Sequence, residues 1–241
     1  MKADQFAEAK ERDVVPDGPH RSPEQMEGDL RELLATIQDP HLRQLLALLL
    51  GEQSAPWSDY RDAPAAKHYH QAYRHGLLEH CLTVAQAVHA TSMIFPGVDH
   101  DLAVTGALLH DIGKLDSYDL HDDGVTMSDP GRLIGEIPLG YYRVRRLIEQ
   151  LDGFPPELEQ GLLHIILSHH GSLAHGSPVV PCTREATLVH MMDNLGGKLG
   201  SFDRVERQLA DGEQWSPYDK AIGGGAYFPS RPTPDTAREA A

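Results

Sequence analysis

Four stretches of the 241-residue sequence carry side chains suited to holding metal ions. His80 lies in GLLEHCLTVA, and His110 and Asp111 end GALLHD. His169 and His170 end IILSHH, and Asp193 lies in LVHMMDNL. Each is ordinary alone: a single helical His is usually a surface or hydrogen-bonded core residue, and a His pair before Gly suits the negative end of a helix. The combination asks for more. Asp111 follows Gly106-Ala107-Leu108-Leu109, among the most apolar stretches of the chain, and an ionised carboxylate leaving a buried helix needs a compensating partner. Asp193 follows Val189-His190-Met191-Met192 and has the same need. The 15 His cluster at 68–80, 100–121 and 164–175, which strengthens the case for a metal site. Mixed imidazole and carboxylate ligation suits Mn²⁺, Fe²⁺, Zn²⁺ or Ni²⁺ better than Ca²⁺.

The elements that must position these residues read as helices. Ser22-Pro23-Glu24-Gln25 is a helix start, with Ser22 as N-cap and Pro23 in the first helical position. Leu30, Leu33, Leu34 and Ile37 then share one face. Asp39-Pro40 opens a second short helix closed by Gly51, and 52–66 reads as a loop with room for one helical turn. A broad apolar face follows from Gly76 until Pro96-Gly97. Leu102 to Ile112, capped by Asp99 or Asp101 and ended by Gly113, is apolar nearly all round and is predicted to be buried. A polar loop over 116–130, with a small hairpin at Tyr118–Met127, leads to a helix around Leu133–Leu151. Pro155-Pro156 opens the next, a Gly/Ser/Pro-rich loop spans 171–181, and the last long helix runs over Thr183–Leu209. The fold class is all-α, a helical bundle with short loops. Residues 1–22 read as a disordered tail, 23–60 as an N-terminal helical extension, 61–212 as the bundle that carries the ligands, and 213–241 as an extended C-terminal tail.

Composition narrows the function. The net charge of −15 argues against coating long nucleic acid, which needs many Lys and Arg contacts to phosphate. It leaves a small polyanionic substrate open, because bound divalent ions invert the local field of an acidic chain. No apolar run approaches the ~20 residues that span a bilayer, so no membrane partner is expected. MKADQFAEAKERD lacks a signal core, and Cys81 and Cys182 are too few for a disulfide framework. A cytoplasmic location is therefore expected, with self-association left open.

The ordered set His80, His110-Asp111, Asp193 resembles the H…HD…D signature of the HD-domain metal-dependent phosphohydrolases. The resemblance extends to one branch, the HD-type 3′–5′ exoribonucleases of the YhaM type. It is carried by APAAKHYHQAYRHGLLEH at 63–80, LLHDIGK at 108–114, GRLIGE at 131–136, LSHHGSLAHGSP at 167–178 and HMMDNLGGKL at 190–199. This resemblance implies an HD-domain bundle over 61–212, with His80, His110, Asp111 and Asp193 as the signature ligands and Asp111 as a bridge between two ions. It implies that His169 and His170 complete a second metal site, and that Lys114 acts beside Asp111 by holding the scissile phosphate or the attacking water. Two departures stand out. Glu136 occupies a position where binuclear relatives usually have His; it either ligates through oxygen, favouring Mn²⁺ or Mg²⁺, or marks a weakened second site. Exoribonucleases of this branch also carry an N-terminal OB-type domain, and nothing before residue 60 reads as five strands, so a short substrate is expected in place of long RNA.

The implied function is a metal-dependent phosphohydrolase or phosphodiesterase acting on a nucleotide or short oligonucleotide. Two divalent ions (Mn, Fe, Ni, Zn or Mg) about 3.5–4 Å apart would activate water for in-line attack. Lys67, His68 and His70 precede the first ligand helix and are candidates for the pocket mouth. Two other uses of the scaffold stay open: a di-iron oxygenase, and a module that senses a nucleotide without turning it over, for which Glu136 is the main support. His164 reads as a packed core residue. His75, His89, His100, His121, His175 and His190 carry no assigned role, and Arg143-Arg145-Arg146 reads as a solvated helix face.

Overall fold

The structure is a computed structural model, and it describes residues 19, 21–67, 71–121 and 124–229. Local signals start most helices where the sequence places them. The Ser22 hydroxyl accepts from the Gln25 amide, and the Gln25 side chain returns a bond to the Ser22 amide, so a full capping box opens α1 (Pro23–Thr36). Asp39 accepts from the amides of His41 and Leu42 and opens α2 (Pro40–Leu50). A short α3 (Trp57–Asp62) supplies the turn allowed in the 52–66 loop and buries Trp57 and Tyr60.

The core pair is α4 (Gly76–Ser92) and α5 (His100–Leu109), capped by Asp99. Every residue of α5 from Leu102 to Leu109 is buried, as its all-round apolar pattern predicts. After Gly113 come a short α6 (Lys114–Ser117), the hairpin β1 (Tyr118–His121) and β2 (Gly124–Met127) with Tyr118 opposite Met127, and α7 (Asp129–Leu133). Then follow α8 (Glu136–Ile148), α9 (Pro156–Ser168) and α10 (Arg184–Gln208), the last capped by Thr183. Gly106 allows α9 to sit close to α5, since a Cβ there would lie 2.5 Å from Ile165 Cδ1.

Three boundaries differ from the expectation. The helix expected over 102–112 closes at Leu109, which leaves His110 and Asp111 in a turn. The helix expected from Leu133 begins at Glu136, because Gly135, at φ +90°, separates it from α7. The chain after 213 is also not wholly extended. Trp215 pairs with Tyr227 and Asp219 with Gly224, while Ala226 and Phe228 pack on Val205 of α10 as a small second core. Residues 1–18 of the expected N-terminal tail and 230–241 of the C-terminal one lie outside the described residues. Among the described residues no helix is long and apolar enough to cross a membrane.

One carboxylate ties the N-terminal helices to the bundle. Asp101 Oδ2 accepts from the amides of Gln38 (2.6 Å) and Asp39 (2.7 Å), while its Oδ1 lies 2.8 Å from His100 Nδ1. Burial raises its pKa, but His100 and the two amides outweigh that and hold the carboxyl below its usual range. A depressed folded pKa means that this stability is present above the unfolded value of about 3.9 and is lost as pH falls through the folded one. Asp101→Ala is expected to cost about 1–3 kcal/mol at neutral pH. The cost should shrink in urea unfolding repeated near pH 3.

Candidate metal centre

Five helices or helix ends deliver the candidate ligands. α4 turns His80 inward, the turn after α5 presents His110 and Asp111, and Glu136 is the first residue of α8. His169 and His170 follow the last turn of α9, and Asp193 lies on α10. The structure brings them together as two clusters, His80 with His110 and Asp193, and Asp111 with Glu136, His169 and His170; within each cluster the ligand atoms lie within 4.8 Å of one another.

Asp111 faces both clusters. Its Oδ2 is 3.1 Å from His80 Nε2 and 3.4 Å from His110 Nε2, and its Oδ1 is 3.4 Å from His169 Nε2. Asp193 Oδ1 stands 3.2 Å from His80 Nε2, and Glu136 Oε1 stands 3.3 Å from His170 Nε2.

Three of the imidazoles are held in orientation through their other nitrogen. His110 Nδ1 lies 2.7 Å from the Ala107 carbonyl, His169 Nδ1 2.7 Å from that of Ile166, and His170 Nδ1 2.9 Å from that of His175. A carbonyl only accepts, so each bonded Nδ1 carries a proton, and the ring turns its Nε2 into the cluster. The donor set fits a pair of divalent ions. Asp111 Oδ1 and His169 Nε2 are buried with no hydrogen-bond partner, an arrangement that is costly unless something else binds them. His80 Nε2 and His110 Nε2 are 3.2 Å apart. Ligand atoms that share one ion at about 2.1 Å lie about 3.0–3.4 Å from each other at octahedral to tetrahedral angles.

Charge is concentrated here. Burial opposes ionisation of Asp111, Asp193 and Glu136, yet neighbouring cationic groups hold all three carboxyls below their usual range. Lys114 donates to Asp111 Oδ2 at 2.6 Å, and despite burial the surrounding carboxylates keep its ammonium charged. Burial also disfavours a charged His80, but Asp111 and Asp193 prevail and push it up to about 9. His169 is held down, chiefly by burial, and so remains a neutral donor of its lone pair.

A cavity of about 290 Å³ opens beside both clusters, lined by His169, His170, His175, His190, Asp193 and Asn194. Lys67 is half-buried in the segment before α4, and His68 and His70 lie outside the described residues. His164 stays outside the clusters: it is half-buried, and its Nε2 accepts the Cys182 amide at 2.8 Å. Arg143 is more than a solvated cation, since it clamps Asp116 through two bonds of 3.0 and 2.7 Å. Arg145 and Arg146 remain on the surface, Arg145 pairing with Glu149 and Arg146 lying over the Tyr142 ring.

The sequence did not mark three contributors. Tyr60 donates to the Leu108 carbonyl at 2.8 Å, beneath the His110 turn. His175 holds His170 through a backbone carbonyl, which leaves no trace in residue type. His190 bonds the His169 carbonyl, and its spacing three residues before Asp193 was the available signal.

The match to known proteins agrees with this geometry: the model of the HD domain family matches residues 77–197. The chain belongs to the HD-domain family. The matched span begins one turn before His80 and ends just after Asp193, so it encloses every candidate ligand of the two clusters. The chain is similar to the 3′-5′ exoribonuclease YhaM of Geobacillus sp. (strain WCH70), at 29% identity over 209 residues, covering 83% of this chain and 60% of that protein. It is 29% identical over 189 residues to 3′-5′ exoribonuclease YhaM of Bacillus subtilis (strain 168), covering 78% and 59%. The protein of that name from Shouchella clausii (strain KSM-K16) is 29% identical over 192 residues, covering 80% and 59%. The chain thus spans about 60% of the length of the curated relatives it matches. No solved structure matches it.

Proposed function

We propose that this HD protein is a metal-dependent phosphohydrolase that cleaves a phosphate ester in a nucleotide or short oligonucleotide. The observation that carries the reading is the split carboxylate of Asp111, one oxygen facing His80 and His110 and the other facing His169. His80, His110, Asp111 and Asp193 would hold one divalent ion, and Asp111, Glu136, His169 and His170 the other. When bound, such a pair supplies Lewis-acid polarisation of phosphoryl oxygens and lowers the pKa of a water. Glu136 adds an oxygen donor to the second set, which favours Mn²⁺ or Mg²⁺ there. Its place within 3.3 Å of His170 supports ligation and speaks against a purely sensing module.

The protein's own groups do the rest. The backbone carbonyls behind His110, His169 and His170 keep the Nε2 atoms directed inward. Lys114 spends one ammonium hydrogen on Asp111 and has others to offer a phosphoryl oxygen. That fits a phosphate substrate better than the oxygenase use of the scaffold. The cavity of about 290 Å³ suits a substrate of roughly nucleotide size at the low end of ligand sites, and the exoribonuclease names of the relatives support a nucleotide-derived ester.

The test is hydrolysis of bis-p-nitrophenyl phosphate and of a short labelled oligoribonucleotide. Turnover is expected with Mn²⁺, lost in EDTA and restored by added metal. Turnover that persists undiminished in EDTA, or its absence with every divalent ion, would overturn the reading.

A further inference from the structure

We infer that His190 is a positioning residue for the HD centre, the strut that ties the His169-His170 end of α9 to the Asp193 face of α10. The inference rests on the reading that both clusters hold metal. His190 and Asp193 are three residues apart on α10 and so share a face. Both line the same cavity as His169 and His170. His190 Nδ1 lies 2.7 Å from the His169 carbonyl, so in the bonded state Nδ1–H donates to it.

That carbonyl is one of the groups a helix leaves without a partner at its C-terminus. α9 ends at Ser168, and the chain turns away through Gly171 at φ +80°. The two ligands therefore sit on the stretch of backbone least held by α9 itself. The His190 bond supplies the missing restraint from a neighbouring helix. The fit leaves no slack: a Cβ on Gly171 would lie 2.1 Å from His190 Cε1 and 2.3 Å from its Nε2. Gly171 is thus required both for its left-handed backbone and for the ring packed on it.

The consequence is selective. His80, His110 and Asp193 are held by α4, the α5 turn and α10, without help from this bond. His169 and His170 need it to keep their Nε2 atoms at the distances recorded from Asp111 and Glu136. Loss of the bond should weaken the second ion and spare the first. Partners behind a ligand typically change metal affinity by about 10–100-fold.

The experiment compares wild type, His190→Asn and His190→Leu by elemental analysis and by calorimetric titration of metal-free protein with Mn²⁺. Asn places an amide N–H where Nδ1–H stood, while Leu removes the donor. Two ions per chain are expected in wild type and His190→Asn. His190→Leu is expected to keep one tight site and lose about 10–100-fold in affinity at the other. Two undisturbed sites in His190→Leu would overturn the inference, as would equal losses in the Asn and Leu variants. If His190→Leu does not fold, Gly171→Ala, which forces a Cβ into the imidazole, carries the same expectation of one weakened site. A wild type that binds no metal would instead sink the underlying functional reading.

Discussion

Asp111→Asn is expected to weaken both metal sites together and to lower phosphodiester hydrolysis by roughly 10³-fold or more, the equivalent of about 4 kcal/mol of transition-state stabilisation. The substitution keeps shape and burial almost unchanged, so the effect is one of charge and of lone pairs. The Asp111 oxygens face different clusters, and among the described residues no other carboxylate in the centre spans both. The amide can offer only one oxygen, and it presents an N–H to ions that need a donor. The same change strands Lys114, whose ammonium is mostly buried against Asp111 Oδ2. Removing one partner of a buried ion pair costs about 3–5 kcal/mol. Asp111→Asn should therefore be less stable than wild type when both are metal-free. Metal content by mass spectrometry and urea unfolding of stripped protein check the two halves of this expectation separately. An active, metal-replete Asp111→Asn would refute it.

Gly113→Ala is expected to be the most damaging change that touches no ligand. The backbone of Gly113 has φ −67°, which any residue adopts, so the requirement is for space. A Cβ there would lie 1.9 Å from the Glu136 carbonyl oxygen and 2.5 Å from the Gly140 amide nitrogen. Both are backbone atoms of the first turns of α8, and they cannot swing aside as a side chain can. The methyl must push α8 off the turn that carries His110 and Asp111, and Glu136 leaves with it. Overpacking of this kind typically costs about 1–3 kcal/mol, and displacement of backbone places Gly113→Ala at or above the upper end. The expected result is a clear drop in the urea midpoint with one metal site weakened. An unchanged midpoint would show that α8 is not seated as described.

Much of this was legible because it is local. Ser22, Asp39, Asp99 and Thr183 cap helices from within three residues, and the all-apolar run of α5 announced its own burial. The candidate ligand set could be assembled for a different reason: a carboxylate beside an apolar stretch is costly without a partner, and Asp111 after α5 and Asp193 on α10 both stand in that position. What escaped depends on contacts between distant segments. The hydrogen bond from His190 to His169 spans 21 residues, and the bond from Tyr60 to Leu108 spans 48. Gly113 was read as a helix stop when its requirement is the close approach of Glu136, a fact residue type alone does not carry. The fold-back of Phe228 onto Val205 likewise rests on packing with no periodic signature. Glu136 is the instructive middle case: the sequence left it open between ligand and loss, and its position beside His170 and Asp111 favours ligand.

The most direct test of the central claim is anomalous diffraction from crystals grown with Mn²⁺ and measured above and below the manganese edge. Two anomalous peaks per chain are expected, one among His80, His110 and Asp193 and one among Glu136, His169 and His170, with an oxygen of Asp111 on each. A single peak that leaves Asp111 on one side, or no peak at either cluster, would contradict it.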